Sequence, residues 1–134
     1  MIAFITARLD EVEEQARRAT PGVWKLWGMS VMADQDGTSN AETCTDVAHT
    51  VMLDDEGKPR TFDAQHIARH DPPRVLAEVA VRRKIVANLR TAIDHTWQFG
   101  EEARDVVTSL AVRVLQQLAA LDADHRDYDP AWAL

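Results

Sequence analysis

The chain has 134 residues, with 15 Lys and Arg against 22 Asp and Glu, and a formal net charge of −7. That length makes one domain, 1–134, the expectation. The negative balance argues against non-specific nucleic-acid binding, which works by neutralising phosphates. A single cysteine, Cys44, excludes an internal disulfide framework and suits a reducing compartment such as the cytoplasm.

No stretch approaches the roughly 20 apolar residues that span a bilayer, so no membrane association is expected. The opening residues lack the basic start, apolar run and cleavage site of a signal peptide.

Residues 1–19 predict the first helix. Ile2, Ile5, Leu9, Val12, Ala16 and Ala19 recur at spacings of three and four, a narrow stripe of the kind helix-to-helix seams use. Glu13 stands four residues before Arg17, and Glu14 four before Arg18, which supports the helix. Thr20-Pro21-Gly22 ends it, because proline disfavours helix in the residue before it and glycine permits a turn.

A small antiparallel sheet is expected over residues 23–60. Residues 23–32 are aromatic and β-branched, and alternation turns Trp24, Leu26 and either Met29 or Val31 inward. Gly28 interrupts that run and predicts a bulge. Asp34-Gln35-Asp36-Gly37 reads as a turn, residues 43–53 as a second extended segment, and residues 54–59 as the turn that closes it. The result is a β-hairpin or a three-strand meander, which must pack on helices to be stable.

Residues 63–121 read as helical. Asp63 is placed to cap a short helix over 64–70. Asp71 then caps a longer one with Pro72 at its first position, where the missing N–H costs nothing. Val75, Val79, Val86, Leu89, Ile93 and Trp97 form its core stripe, joined by Leu76 and Ile85 and interrupted by Arg82. Gly100 stops that helix. Glu101 and Glu102 restart it, acids that the helix dipole favours in a first turn. Val106, Val107, Leu110, Ala111, Val114, Leu115, Leu118 and Leu121 predict a broad apolar face over 101–121, and the short link predicts an antiparallel pair. Residues 122–134 are an acidic tail with two aromatics, Tyr128 and Trp132, expected to dock back on the domain.

Chemistry is thinly marked. His66 and His70 lie four apart, on one helical face, as in helical zinc sites, and Asp71 adjoins them. With His125 from the tail they make the candidate metal set; otherwise no cofactor is expected. Ile67 stands where a zinc peptidase carries its glutamate base, and the ordinary role of such histidines is capping or solvent exposure. Cys44 and His49 could be nucleophile and base, yet their odd separation puts them on opposite faces of a strand. The five glycines, at 22, 28, 37, 57 and 100, are isolated and form no phosphate-binding loop.

Charge is unevenly spread. Residues 1–62 carry 6 basic and 11 acidic groups, residues 63–98 carry 6 and 4, and residues 99–134 carry 3 and 7. Arg82, Arg83, Lys84 and Arg90 make the basic patch, which gives weak nucleic-acid contact as a minor alternative. Arg82, Arg83, Arg90 and Trp132 are the candidate interaction residues.

Three segments carry a resemblance. They are residues 19–24 (Ala-Thr-Pro-Gly-Val-Trp), residues 66–79 (His-Ile-Ala-Arg-His-Asp-Pro-Pro-Arg-Val-Leu-Ala-Glu-Val) and residues 123–132 (Ala-Asp-His-Arg-Asp-Tyr-Asp-Pro-Ala-Trp). Taken in order, they resemble a family of short actinobacterial proteins of unknown function, found also in phages and prophages. Val23 stands where that family often has proline, and residues 95–110 lack the cysteine pairs of some members. The resemblance implies an accessory or mobile-element setting and no reaction. The reading is an α+β protein: an N-terminal helix, a small antiparallel sheet, two long antiparallel helices and a docked tail. Its expected role is non-enzymatic, through a protein partner or self-association.

Overall fold

The structure, a computed structural model, describes residues 1–40, 42–49, 57–58 and 61–133. It is an α+β protein, with four α-helices and a three-stranded antiparallel sheet among the described residues. The helices are α1 (Ile2–Arg18), α2 (Thr61–Arg69), α3 (Pro72–Asp94) and α4 (Glu101–Ala119); the strands are β1 (Val23–Trp27), β2 (Ser30–Asp34) and β3 (Thr45–His49). No helix, among the described residues, is long and apolar enough to cross a membrane. The chain divides into two compact units, one of Met1–Glu11 with Val79–Leu134 and one of Val12–Glu78.

The expected stripe of α1 is the buried one: Ile5, Leu9 and Ala16 are each under a tenth exposed. Burial extends sideways to Phe4 and Arg8, so the covered face is wider than a two-position seam. Arg17 binds Glu13 one turn back, as the spacing predicts.

In the unit of Val12–Glu78, β2 is the central strand, and Val31 and Ala33 on it are fully buried. Trp24 pairs with Ala33 and Leu26 with Val31, so both share the inward face, as alternation requires. Leu26 nonetheless stays 37% exposed, beside the hairpin end of the sheet. The bulge expected at Gly28 is instead a turn. Trp27 pairs with Ser30, leaving Gly28 and Met29 as a two-residue loop. Gly28 takes φ +63° at the first loop position, a geometry that matches the twist of the flanking strands. The irregularity falls in β3, where Val31 pairs with Ala48 but Met32 with Asp46, so Val47 is the extra residue. Of the extended segment expected over 43–53, Thr45–His49 is strand, while residues 50–53 lie outside the described residues, with most of the turn expected over 54–59.

Gly22 and Asp34 lock the sheet's entrance. A Cβ on Gly22 would lie 2.4 Å from the Asp34 carbonyl oxygen, so only glycine admits that approach. The Asp34 side chain is 1% exposed and gathers four donors. Lys25 Nζ reaches it at 2.6 Å, the Gly37 N–H at 2.8 Å, the Ser39 N–H at 3.2 Å and the Ser39 hydroxyl at 3.3 Å. The turn read as four surface residues is therefore a loop organised around a buried carboxylate.

Helix α2 packs on β1 and β2. It begins at Thr61, two residues before Asp63, which thus sits in the first turn and favours the helix through the dipole instead of as its cap. The cap of α3 is as expected: Asp71 Oδ1 accepts from the Arg74 N–H at 2.9 Å, three residues on, with Pro72 first in the helix.

In the other unit, α3 stops at Asp94, earlier than its apolar stripe suggests. The Thr96 hydroxyl donates to the Ile93 carbonyl and the His95 ring to that of Thr91, satisfying the last turn from outside. A single 3-10 turn over Thr96–Gln98 then sends Trp97 outward, 73% exposed, instead of into the core. Gly100 is extended, and α4 restarts at Glu101.

Candidate interaction face

Helix α4 shows two apolar faces where the sequence suggested one. At about 3.6 residues per turn, Ala111, Leu115 and Ala119 line one side, and all three are buried. Val107, Val114 and Leu118 are half-buried beside them. Val106 and Leu110, one turn apart on another side, are 64% and 62% exposed. Phe99 just before the helix and Leu121 just after it are exposed as well. Within the helix, Ala103, Val106, Leu110, Val114 and Gln117 follow spacings of three and four, so they share one side of it, with Val114 at its half-buried edge. Leaving several large apolar side chains adjacent in water is unfavourable, which is why such patches mark interaction sites.

Polar groups border this stripe. Asp105, Ser109 and Arg113 line a shallow groove with Val106 and Leu110. Glu102 and Arg113, both exposed, lie on the same margin. Neither makes an ion pair with a described residue.

The tail forms a second cluster in the same unit. Its backbone folds in short turns: the Tyr128 N–H donates to the His125 carbonyl, and the Trp132 N–H to that of Asp129. Asp129 also accepts from the Ala131 N–H, with Pro130 opening the final turn. These turns deliver three rings to Phe4 of α1: His125 at 5.9 Å, Tyr128 at 6.0 Å and Trp132 at 5.3 Å between centroids. Arg8, nine-tenths buried, lies over the Phe4 ring, donates to Glu11 at 2.8 Å and meets His125 Nε2 through Nη1. Its Nε is buried with no partner among the described residues. Neither Phe4 nor Arg8 belongs to the stripe that the spacing picks out in α1. The available signal was that Phe4 and Arg8 lie one turn apart, flanking Ile5 and Leu9.

The candidate metal residues are divided. His66, His70 and Asp71 fall in the unit of Val12–Glu78, and His125 falls in the other. His66 and His70 are exposed with ring centroids 4.4 Å apart. His70 Nδ1 donates to the His66 carbonyl, and Asp71 serves as the helix cap. Within either unit, no three His, Cys, Asp or Glu side chains among the described residues gather closely enough to hold a metal ion.

The basic patch is largely engaged. Arg83 donates to Asp10 at 2.6 Å, and Arg90 pairs with Asp94 at 3.8 Å. Arg82 also has a partner. Cys44 lies just before β3, and burial, then the Asp34 and Asp36 carboxylates, push its thiol up from its ordinary value. A raised thiol is a poor nucleophile. His49 binds Ser30 at 2.6 Å.

A family model described as "Family of unknown function (DUF6221)" matches residues 1–134. No curated protein and no solved structure matches the chain.

Proposed function

The chain belongs to the family of unknown function DUF6221, and from that premise we propose that it is a small non-enzymatic interaction protein acting through protein–protein contacts. The observation that carries this reading is the exposed stripe of α4, with Val106 and Leu110 both more than half open to solvent. A helix face of this kind is suited to burial against a second apolar surface. The resemblance to short actinobacterial and phage proteins supports an accessory role in that setting. The lone cysteine favours a reducing compartment such as the cytoplasm.

Site-specific photocrosslinking tests the reading. A photoreactive side chain in place of Val106 should give discrete protein adducts in a host lysate. The same side chain at Asp36, on the polar loop of the other unit, should not. Equal or absent labelling from the two positions removes the proposal.

A second reading draws on the His66 and His70 rings, which stand side by side on one exposed helix turn. It makes the protein a metal binder through this pair. Elemental analysis of untagged protein decides it: one equivalent of metal, lost in the H66A/H70A variant, supports it, and metal well below one equivalent ends it.

A further inference from the structure

Both nitrogens of the His125 ring face donors. Nε2 meets Arg8 Nη1, and the Asp127 N–H points at Nδ1 from 3.1 Å. A guanidinium has no lone pair to offer, so Nε2 must supply one. A neutral imidazole carries one lone pair for its partners, and an imidazolium carries none. A proton added in acid therefore takes the acceptor that Arg8 uses and leaves two cations in contact. The other histidines with a hydrogen-bonded ring are set differently. His70 and His95 turn Nδ1 to the carbonyls of His66 and Thr91, so a proton added at Nε2 breaks neither bond. His49 faces the Ser30 hydroxyl, which can donate or accept.

Among the described residues, the charged groups that bond or pair with this ring and its partners are Arg8 and Glu11 from α1 and Asp127 and Arg126 from the tail. They are unequal. Asp127 lies 3.9 Å from Nδ1 and pairs with Arg126, and both are open to solvent. Its carboxylate favours an imidazolium, but from a solvated position where charge is screened. Arg8 opposes it in direct contact and from a site nine-tenths buried, where charge is screened least. Glu11 offsets part of the Arg8 charge, again from an exposed position. Arg8 also keeps a buried Nε with no partner among the described residues. The closed arrangement thus already holds an unmet donor that water would satisfy on opening.

What the ring holds is the tail. The His125 carbonyl accepts the Tyr128 N–H, and Phe4 receives the rings of His125, Tyr128 and Trp132 together. We infer that the His125–Arg8 contact is a proton-operated latch, closed over Phe4 while the ring is neutral, and that protonation of His125 releases the tail and bares the buried Phe4 side chain. Opening takes up a proton. The docked tail is therefore favoured above the range in which histidine ordinarily titrates, and is lost as pH falls through and below it. The latch neither uses nor requires the exposed face of α4.

A nuclear magnetic resonance titration of the full chain from about pH 8 to about pH 5, above the ordinary carboxylate range, tests the inference. The cross-relaxation signals between the Phe4 and Trp132 rings should be strong at the alkaline end and fall several-fold in step with titration of the His125 ring. Signals around the buried Leu115 should persist throughout. His125→Gln supplies an acceptor that takes up no proton, so its tail should stay docked at both ends of the range. Arg8→Gln removes the like charge, so its tail should no longer respond to His125. Native Phe4–Trp132 signals that survive full titration of His125 overturn the latch, as does the same acid loss in His125→Gln. Should glutamine at 125 fail to hold the tail at any pH, Arg8→Gln decides: a tail that still leaves Phe4 in step with His125 overturns the inference, and one that no longer follows it supports it.

Discussion

Phe4 and Trp132, from opposite ends of the chain, stand 5.3 Å apart between ring centroids, with their planes tilted by 54°. Phe4 is the common partner of three tail rings, so the tail closes over the start of α1. Aromatic pairs of this geometry contribute about 0.5–1.5 kcal/mol beyond the area they bury. A double-mutant cycle of Phe4→Ala and Trp132→Ala should give a coupling energy in that range. Phe4→Ala alone should cost about 3 kcal/mol, because it also empties a buried site. Urea unfolding measures both. Additive single effects would mean that the two rings do not support one another.

Gly22 is the position where substitution should be least tolerated for backbone reasons. Its φ is +101°, and a Cβ there meets the Asp34 carbonyl oxygen at 2.4 Å. The backbone conformation alone costs a side-chain residue about 1–3 kcal/mol, and the clash adds to it. Gly22→Ala should therefore lower the urea midpoint strongly. Gly37→Ala should do less, since open space surrounds that glycine and only the backbone conformation opposes the change.

Asp34 predicts acid sensitivity. Its hydrogen bond from Lys25 is the chief cause of a carboxyl held below its ordinary value of 3.8, opposed by burial and aided by the Gly37 and Ser39 donors. A group whose folded value is depressed stabilises the fold above its unfolded value, and that contribution disappears as pH falls through the folded value. The protein should thus keep the Asp34 contribution at neutral pH and lose it progressively below about pH 4. Asp34→Asn should flatten this acid limb of the stability profile and lower stability at pH 7. An unchanged acid limb in the variant would show that Asp34 does not control it.

Asp71 separates a structural role from a ligand role. Its Oδ1 caps α3 by accepting the Arg74 N–H at 2.9 Å. Asp71→Ala should cost about 1 kcal/mol, and Asp71→Ser should recover most of that, since serine also caps. Failure of serine to rescue would point to work for the carboxylate beyond the cap.

The regular elements were legible because local rules decide them. The α1 stripe, the Asp71-Pro72 start of α3 and the Gly100 break before α4 follow from spacing, capping and backbone conformation. Other features depend on partners distant in sequence, which no local pattern contains. Arg8 is buried because the tail brings His125 to it. Asp34 is buried because Lys25, Gly37 and Ser39 converge on it. Gly28 was placed correctly as a break but not as a turn, since a strand glycine fits a bulge or a hairpin until the pairing Trp27 to Ser30 is known. The α4 stripe shows the same limit. Periodicity groups Leu110 with Ala111, and only packing separates the exposed residue from the buried one.

That separation yields the most discriminating stability measurement on α4. Leu115 is 3% exposed and Leu110 is 62% exposed, although both are leucines on one helix. Truncating a buried leucine removes its transfer energy and leaves a cavity, so Leu115→Ala should cost about 2–5 kcal/mol. An exposed leucine has little to lose in the monomer, and alanine is the better helix former, so Leu110→Ala should fall within about 0.5 kcal/mol of the native chain. Urea unfolding of the two variants reads this directly. Equal losses in both would place Leu110 in the packed core instead of on an open face.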